Sequence, residues 1–419
     1  MAGDLKDRIR QNLVSRYSVL LTKESLGDED LKKTITRILE DIVNRPRGSL
    51  TEQDKKRIIT ELVDEFAGLG AIESLMQDSS VTEIMINGPK KIYVERGGKK
   101  QLSGVTFDNE QQLMWTVYKM LASTRHHVDE TTPYTDVSLK DGSRVNIIIS
   151  PLALDGPTVT IRKFLKEIKN ADDLAALGTL DKRMSDFLIA CIRAKVSIIF
   201  SGATGSGKTT TLGVLSGYIS NDERIITIED TAELHLNQDH VVRLETRPKG
   251  IEGTGEVTIR DLFKNSLRMR PGRIILGEIR SAEALDMLQA MCSGHLGSLA
   301  VIHAATPQEV IYRLETMILT SGLPINLDAI HRQISAAVNL IVQQEQLVDG
   351  SRKITHITQV NGLKDGQVVL EDIFCYDIEG VDAQDKVQGR FRATGIKPAF
   401  YHLFKKRNTD LAPEIFNKD

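Results

Sequence analysis

The segment 202–210, Gly-Ala-Thr-Gly-Ser-Gly-Lys-Thr-Thr, limits what this chain can fold into more than any other part of it. It satisfies the pattern G-x-x-x-x-G-K-[ST], whose glycines let successive backbone N–H groups point inward around phosphate. An apolar run at 196–200 predicts a buried strand before it, and a helix-like stretch follows to about residue 219. A strand, a tight loop and a helix N-terminus are what a phosphate cradle requires. The sequence therefore predicts a nucleoside triphosphate site.

Within this loop the side chains have separable expected roles. Lys208 should reach the β- and γ-phosphates of ATP, and the Thr209 hydroxyl should bind Mg²⁺. The predicted nucleotide-binding residues are Gly202, Ala203, Thr204, Gly205, Ser206, Gly207, Lys208, Thr209 and Thr210.

Composition narrows the class of protein. The chain has 419 residues, 41% of them hydrophobic and 26% charged, which is typical of a globular protein with two or three domains. The net charge of −3 predicts no general attraction to nucleic acid or anionic lipid. No apolar run approaches the ~18 residues of a membrane span, and no signal-peptide core follows Met1. The three cysteines lie far apart and form no C-x-x-C pair, so the sequence predicts neither a disulfide nor a cysteine zinc site. We therefore expect a cytoplasmic protein without direct lipid insertion.

The order of predicted elements gives the architecture. After about residue 181, apolar strands alternate with helices, which predicts a mostly parallel sheet with helices on both faces. The last third, from Val338 onward, is expected to turn antiparallel. The predicted divisions are a helical segment at 1–68, a smaller α/β domain at 69–165, a linker at 166–180, the nucleotide-binding domain at 181–382 and a C-terminal tail at 383–419.

Two further apolar strands are predicted to end in carboxylates. Glu229 and Glu233 follow one of them, and Glu278 follows the other. Because ligands of open α/β sheets lie beyond the carboxyl ends of the strands, these side chains are candidates for the site. Glu278 is expected to orient and activate the attacking water, and Glu229 to help hold Mg²⁺. Gly277 stands where many phosphate-loop ATPases carry a metal-binding aspartate, so Thr209 and water are expected to hold the ion as well.

The remaining candidates for the site are basic side chains. His303 ends a short apolar strand and could contact the γ-phosphate, although a histidine there is also compatible with a purely structural contact. Arg144 and Arg162 lie upstream of the linker, and each could contact phosphate from another domain or form a surface ion pair.

Taken in order, four segments resemble the signatures of the secretion ATPase superfamily, which serves type II and type IV secretion and type IV pili. They are the phosphate loop (Walker A), I-T-I-E-D-T-A-E (Asp box), L-R-M-R-P-G-R-I-I-L-G-E-I-R (atypical Walker B) and G-S-L-A-V-I-H-A (His box). Over about 70–400 the chain is most similar to the CpaF/TadA branch, the motor of tight-adherence (Flp) pili. The segments 81–89, 141–146, 151–164 and 389–398 carry that similarity.

The resemblance implies a RecA-like ATPase domain behind a PAS-like domain, in a homohexamer with ATP and Mg²⁺ between the two domains. It implies Asp-box roles for Glu229 and Glu233, a catalytic role for Glu278 and the His-box role for His303. Arg144 or Arg162 would contact phosphate from the N-terminal domain. The implied partners are copies of the chain and inner-membrane pilus platform proteins, at the cytoplasmic face of that membrane.

The sequence thus predicts an ATP-hydrolysing motor that closes and opens two domains around nucleotide. Two alternatives stay open: a RecA-like nucleic-acid translocase, and a nucleotide-gated scaffold without turnover. The near-neutral charge and the lack of a basic stripe with interleaved aromatic residues disfavour the first alternative.

Overall fold

The computed structural model describes residues 28–43, 51–122, 124, 126–163, 168–247, 249, 254–409 and 411–419. The chain divides into two compact units, Met1–Leu165 and Lys166–Asp419. No helix in these described ranges is long and apolar enough to cross a membrane.

The first unit combines helices with an antiparallel sheet. Its six strands follow the order β3-β2-β1-β6-β5-β4, and every pair in the sheet is antiparallel. The elements are α1 (Asp28–Val43), α2 (Glu52–Ala67), α3 (Glu73–Gln77), β1 (Val81–Asn87), β2 (Ile92–Arg96), β3 (Lys99–Leu102), α4 (Glu110–Ala122), β4 (Tyr134–Ser138), β5 (Arg144–Ile148) and β6 (Thr158–Arg162).

Two separate apolar cores hold this unit. Helices α1 and α2 pack through buried residues such as Leu39 and Leu62, and the Thr51 hydroxyl caps α2 by accepting the Asp54 N–H at 3.1 Å. The sheet buries a second core with α4, which includes Ile84 and Val117. Both helices lie in the segment 1–68 that was predicted to be helical, of which 1–27 and 44–50 fall outside the described residues, and the sheet lies in the predicted α/β domain.

The second unit carries the phosphate loop. Its elements are α5 (Ala171–Ala176), α6 (Lys182–Arg193), β7 (Ile198–Ser201), α7 (Lys208–Ser216), β8 (Ile225–Glu229), β9 (Val241–Glu245), α8 (Ile259–Ser266), β10 (Arg273–Leu276), α9 (Glu283–Cys292), β11 (Leu299–Ile302), α10 (Pro307–Leu319), α11 (Leu327–Ala337), β12 (Leu340–Gln346), β13 (Arg352–Lys364), β14 (Gln367–Val381), β15 (Val387–Ala393) and α12 (His402–Lys406).

These strands form one nine-stranded sheet in the order β15-β14-β13-β12-β7-β11-β10-β8-β9. The segment from β12 to β9 is parallel, and its central strands β7, β10 and β11 are buried along their whole length. The strands from Val338 onward are antiparallel to one another, as predicted. The sequence did not predict that the first of them, β12, also pairs parallel with β7. It therefore extends the parallel sheet beside the phosphate loop.

The segment 383–419, predicted as a tail, contributes to the core of the second unit. Strand β15 pairs with β14 along its length. Beyond it, Phe400, Phe404 and Phe416 are buried around the ring of Phe187 on α6, with centroid distances of 6.4, 6.2 and 5.4 Å. The buried residues of α5, which lies in the predicted linker, join the same core.

Candidate functional site

The predicted phosphate loop lies between β7 and α7. Gly205 and Gly207 adopt φ angles of 80° and 96°, a backbone region that residues other than glycine rarely occupy. A Cβ at Gly202 would collide with the carbonyl oxygen of Gln344. Glycine is thus required at Gly205 and Gly207 for backbone conformation and at Gly202 for space.

Lys208 is the first residue of α7, and its side chain turns back over the loop. The residue is only 5% exposed, and its Nζ donates a hydrogen bond to the Ala203 carbonyl oxygen at 2.7 Å. The same Nζ lies 3.5 Å from Nδ1 of His303. The ammonium is therefore held inside the loop, where phosphate oxygens would be recognised.

The residues of this loop fit a nucleotide and its magnesium ion. The Ser206 hydroxyl oxygen is buried with no hydrogen-bond partner within the described ranges, so it can still accept or donate one. Thr209, half-buried in the first turn of α7, presents the hydroxyl expected to bind Mg²⁺. The N-terminus of α7 adds partial positive charge to this cradle. Thr204 and Thr210 are exposed beside it.

Strands β12 and β13 brace the loop from one side. Gln344 on β12 accepts a hydrogen bond from the buried Thr211 hydroxyl at 2.8 Å. Arg352 at the start of β13 donates from Nε to the Gly205 carbonyl oxygen at 2.9 Å. Strands β12 and β13, more than 120 positions after the phosphate loop in the sequence, therefore fix the position of that loop.

Glu278 follows β10 and is held by a histidine and an arginine. Its Oε1 lies 3.1 Å from Nε2 of His303, and its Oε2 accepts a hydrogen bond from Arg280 at 2.6 Å. Burial alone would raise the pKa of Glu278, but the hydrogen bonds from His303 and Arg280 outweigh it and lower that pKa to about 2. The carboxylate is therefore ionised at neutral pH.

His303 joins this carboxylate to the loop lysine. Because β10 and β11 are adjacent and parallel, Glu278 and His303 emerge at the same edge of the sheet. The His303 ring then contacts Glu278 through Nε2 and approaches Lys208 through Nδ1. The three predicted residues thus form one continuous network.

Arg280 extends the network to the first acidic loop. Its guanidinium also bonds Asp230, the residue after β8, at 2.9 Å. Glu283 shapes the intervening turn by accepting the N–H groups of Arg280 and Ser281 at 2.6 and 2.7 Å. The acidic loop after β8 is therefore tied to Glu278 through an arginine.

Glu229 and Glu233 occupy different surroundings. Glu229 is 3% exposed and accepts backbone N–H bonds from Glu233 and Leu234 at 2.9 and 3.0 Å. Burial raises the pKa of Glu229 to about 7, against the opposing effect of those hydrogen bonds. Its carboxylate shapes the loop that carries the half-buried Glu233.

Glu229 also accounts for Gly277. A Cβ at Gly277 would lie 2.7 Å from Cγ of Glu229, which is closer than two non-bonded carbon atoms approach each other. The buried glutamate of β8 therefore fills the space that a side chain before Glu278 would need.

Arg144 and Arg162 lie in the first unit, on neighbouring strands. They are directly opposite each other in the β5–β6 ladder, so their side chains share one face of that sheet. On its other side Arg162 is in register with Glu83 of β1.

The structure thus connects Lys208, His303 and Glu278 within one unit. It adds Arg280 and Asp230, to which the sequence had assigned no individual role, and Gln344, which the sequence had not indicated. Arg280 was one of several arginines in this part of the chain, although its place two residues after Glu278 was a usable signal. Gln344 gave no signal in the sequence, because a single glutamine in a strand belongs to no recognisable motif.

Comparison with known proteins identifies relatives of this chain. The sequence profile of the family described as "Type II/IV secretion system protein" matches residues 65–397. A Mycobacterium tuberculosis protein provisionally described as a conjugal transfer protein is 32% identical over 302 residues, covering 71% of this chain and 85% of the relative. The protein VirB11 of Rhizobium radiobacter is 32% identical over 299 residues, covering 64% of this chain and 85% of that relative.

Among solved structures, the pilus retraction motor PilT with bound ADP matches with a TM-score of 0.53 and 22% sequence identity. The match covers 70% of this chain and 83% of PilT. At that identity the likeness concerns the fold. It confirms the predicted α/β architecture, with a RecA-like domain behind a smaller N-terminal domain.

Proposed function

We propose that this chain, an ATPase of the type II/IV secretion system protein family, drives assembly of a type IV-like, tight-adherence pilus or a related secretion system. The observation that carries the proposal is the contact line from Lys208 through His303 to Glu278. It joins a phosphate-binding cation to a carboxylate suited to hydrolysis. A protein that only bound nucleotide would not need that connection.

Glu278 acts on the attacking water by orientation. Because its pKa is about 2, the carboxylate is a weak base that accepts hydrogen bonds from water and aligns it. Both of its oxygens accept one contact, one from His303 and one from Arg280. Each oxygen keeps a second acceptor site, and opening one of these contacts would leave that oxygen free to direct the water.

Arg280 is the contact that we expect to open. Its side chain is 57% exposed, and Asp230 already offers it a second carboxylate at 2.9 Å. Turning Arg280 fully onto Asp230 would free Oε2 of Glu278 without leaving the arginine unpaired. His303 would keep the other oxygen fixed, so that the water receives a defined direction.

His303 is placed to register the presence of phosphate. In the structure Lys208 donates to the Ala203 carbonyl, and phosphate would draw that ammonium into the cradle. Because His303 lies between Lys208 and Glu278, a shift of the lysine changes the environment of the catalytic carboxylate. Mg²⁺, held through Thr209, supplies charge neutralisation on the phosphates when it is bound.

Arg144 and Arg162 are proposed to contact the phosphates from the first unit of the same or a neighbouring chain. Because the two arginines are cross-strand partners, they present two guanidinium groups on one face of the sheet, an arrangement that suits a polyphosphate. Closure of the first unit on ATP and its release after hydrolysis would then produce the mechanical stroke in a homohexameric ring.

The ring would grip a platform protein at the cytoplasmic face of the inner membrane. The likeness to PilT is compatible with pilus work, since that protein is a pilus retraction motor. The relatives named VirB11 and conjugal transfer protein favour a second candidate machine, a type IV secretion channel. A deletion strain distinguishes them, because complementation by this chain restores either surface pili or export of the channel's cargo.

Assembly is tested by the mass of the particle with and without a non-hydrolysable ATP analogue. We expect a hexamer with the analogue, and an ATPase activity per chain that rises with protein concentration. Arg144→Ala and Arg162→Ala protomers, mixed into wild-type rings, should lower activity more than in proportion to their share. A strict monomer under both conditions would refute the ring and the arginine exchange between chains.

The nucleic-acid alternative has its own test. Stimulation of ATP hydrolysis by single- or double-stranded DNA, with binding that weakens steeply with salt, would favour a translocase over a pilus motor. We expect hydrolysis to be unaffected by either nucleic acid.

A further inference from the structure

Strands β13 and β14 carry a second cluster of chemically active side chains. Candidate ligand atoms of His356, Asp372 and Cys375 all lie within 4.8 Å of one another. Neither ATP binding nor hydrolysis, as derived above, uses any of these residues. An imidazole, a carboxylate and a thiol are three ligand types that together suit a transition metal.

A β-bulge brings the three together. His356 and Cys375 are direct cross-strand partners, but residues three apart on a regular strand, such as Asp372 and Cys375, point to opposite faces. The register jumps between Ile357 and Thr358, because Thr358 pairs with Asp372 and leaves Ile373 as the extra residue. Ile373 and its neighbour Phe374 are both buried in the same apolar core. The bulge therefore turns Asp372 to the face of Cys375.

The surroundings of the cluster orient its members. The Thr358 hydroxyl donates to Oδ1 of Asp372 at 2.6 Å, and the Thr355 hydroxyl lies 3.2 Å from Nδ1 of His356. Such outer contacts fix the direction of ligating side chains in metal sites. Cys375 is 8% exposed, whereas His356 and Asp372 are half-buried. The cluster is thus sheltered on one side and reachable from the other.

We propose that His356, Asp372 and Cys375 bind one divalent ion of the zinc class. The Cys375 thiol gives up its proton to solvent as its sulfur bonds the metal, and neutral imidazole, carboxylate and thiolate then balance the two positive charges of the ion. Water completes a tetrahedral coordination. The ion would bind β13 to β14 in the same hairpin whose Arg352 holds the phosphate loop.

Cobalt is the probe that tests this site. The full-length protein is treated with a chelator, freed of nucleotide and titrated anaerobically with Co²⁺. We expect one equivalent to produce visible ligand-field bands together with a near-ultraviolet thiolate-to-cobalt charge-transfer band, and Zn²⁺ to abolish both. Cobalt at the phosphate loop would give no thiolate band, because no cysteine lies in segment 202–210.

Variants locate the ion. Cys375→Ser should remove the charge-transfer band, whereas Cys292→Ser, at an exposed cysteine, should leave it unchanged. Thr358→Val should weaken Co²⁺ binding by about 10- to 100-fold, as loss of an outer-shell contact does. The proposal is overturned if wild type shows no thiolate band, if Cys375→Ser retains it, or if Cys292→Ser loses it.

A second readout covers the case in which Cys375→Ser does not fold. Zn²⁺ should raise the thermal midpoint of wild type, because a ligand that binds only the native state stabilises it. His356→Gln changes a half-buried side chain and should abolish that rise. An equal rise in wild type and His356→Gln would contradict the site.

Discussion

Replacing Gly277 by alanine is expected to destabilise the second unit through one contact. Gly277 directly follows β10, and its N–H donates to the Ile228 carbonyl oxygen at 2.8 Å. The added Cβ would lie 2.7 Å from Cγ and 3.3 Å from Cβ of Glu229. Glu229 has little freedom to move away, because it is 3% exposed and holds the N–H groups of Glu233 and Leu234. The methyl group must therefore displace a fixed, buried side chain.

The size of the effect follows from the cost of overpacking. An extra methyl group in a well-packed interior costs about 1–3 kcal/mol. In a domain of this size each kcal/mol lowers the thermal midpoint by about 2–4 °C. Calorimetry of the full chain should thus show the midpoint of the second unit falling by roughly 2–12 °C in Gly277→Ala. That transition is recognised because added ADP raises its midpoint.

Gly213→Ala is the matched control. Gly213 lies inside α7, and a Cβ there would be 3.5 Å from Cδ2 of Leu234, an ordinary contact. Alanine is favoured over glycine inside a helix by about 0.8–1 kcal/mol, so this variant should be neutral or stabilised. Equal shifts in both variants, or an unchanged midpoint in Gly277→Ala, would refute the reasoning.

A double variant isolates the contact. Glu229→Ala removes Cγ, so adding Gly277→Ala to it should cost at least about 1 kcal/mol less than in wild type. Simple additivity of the two changes would show that Glu229 is not the obstacle.

Three other predictions follow from burial and pairing. The folded-state pKa of Glu229, about 7, lies above its ordinary value of 4.5, so the penalty for ionising it is absent below pH 4.5 and complete above about 7. Relative to Glu229→Gln, wild type should therefore lose up to about 3 kcal/mol of unfolding free energy across that window, and parallel pH profiles would contradict this. Phe416→Ala should cost about 3–5 kcal/mol in denaturant unfolding, whereas the exposed Glu414→Ala stays within about 0.5. Arg280→Ala should raise the pKa of Glu278 in the free enzyme and shift the acidic limb of the kcat/KM profile upward. Because the ion pair is half-exposed, its loss should cost less than about 1 kcal/mol of stability. An unshifted limb would exclude Arg280 as a partner of Glu278 in the free enzyme.

The parts of the fold that sequence predicted well are those with local signals. The phosphate loop was predictable because its glycines adopt the backbone conformations that the loop itself requires. The alternation of strands and helices was predictable from the spacing of apolar residues along the sequence. The proximity of Glu278 and His303 was also accessible, because both end predicted parallel strands.

Long-range pairing was not accessible in the same way. The apolar run near Val338 would have the same sequence pattern in a parallel or an antiparallel strand pair. Its pairing with β7 is therefore known only from the assembled sheet. The segment 383–419 gave no signal that its phenylalanines would surround Phe187, because the two are more than 200 residues apart in the chain. The role of Gln344 depends on the same tertiary contacts.

The turnover of ATP by Glu278→Gln tests the central claim most directly. Glutamine keeps the shape of the side chain and can still accept from His303, but it lacks the charge that orients water. We predict that kcat falls at least about 100-fold while nucleotide affinity stays within a few-fold of wild type. Lys208→Ala, in contrast, should lose affinity and turnover together. Wild-type turnover in Glu278→Gln would contradict the proposed hydrolytic site.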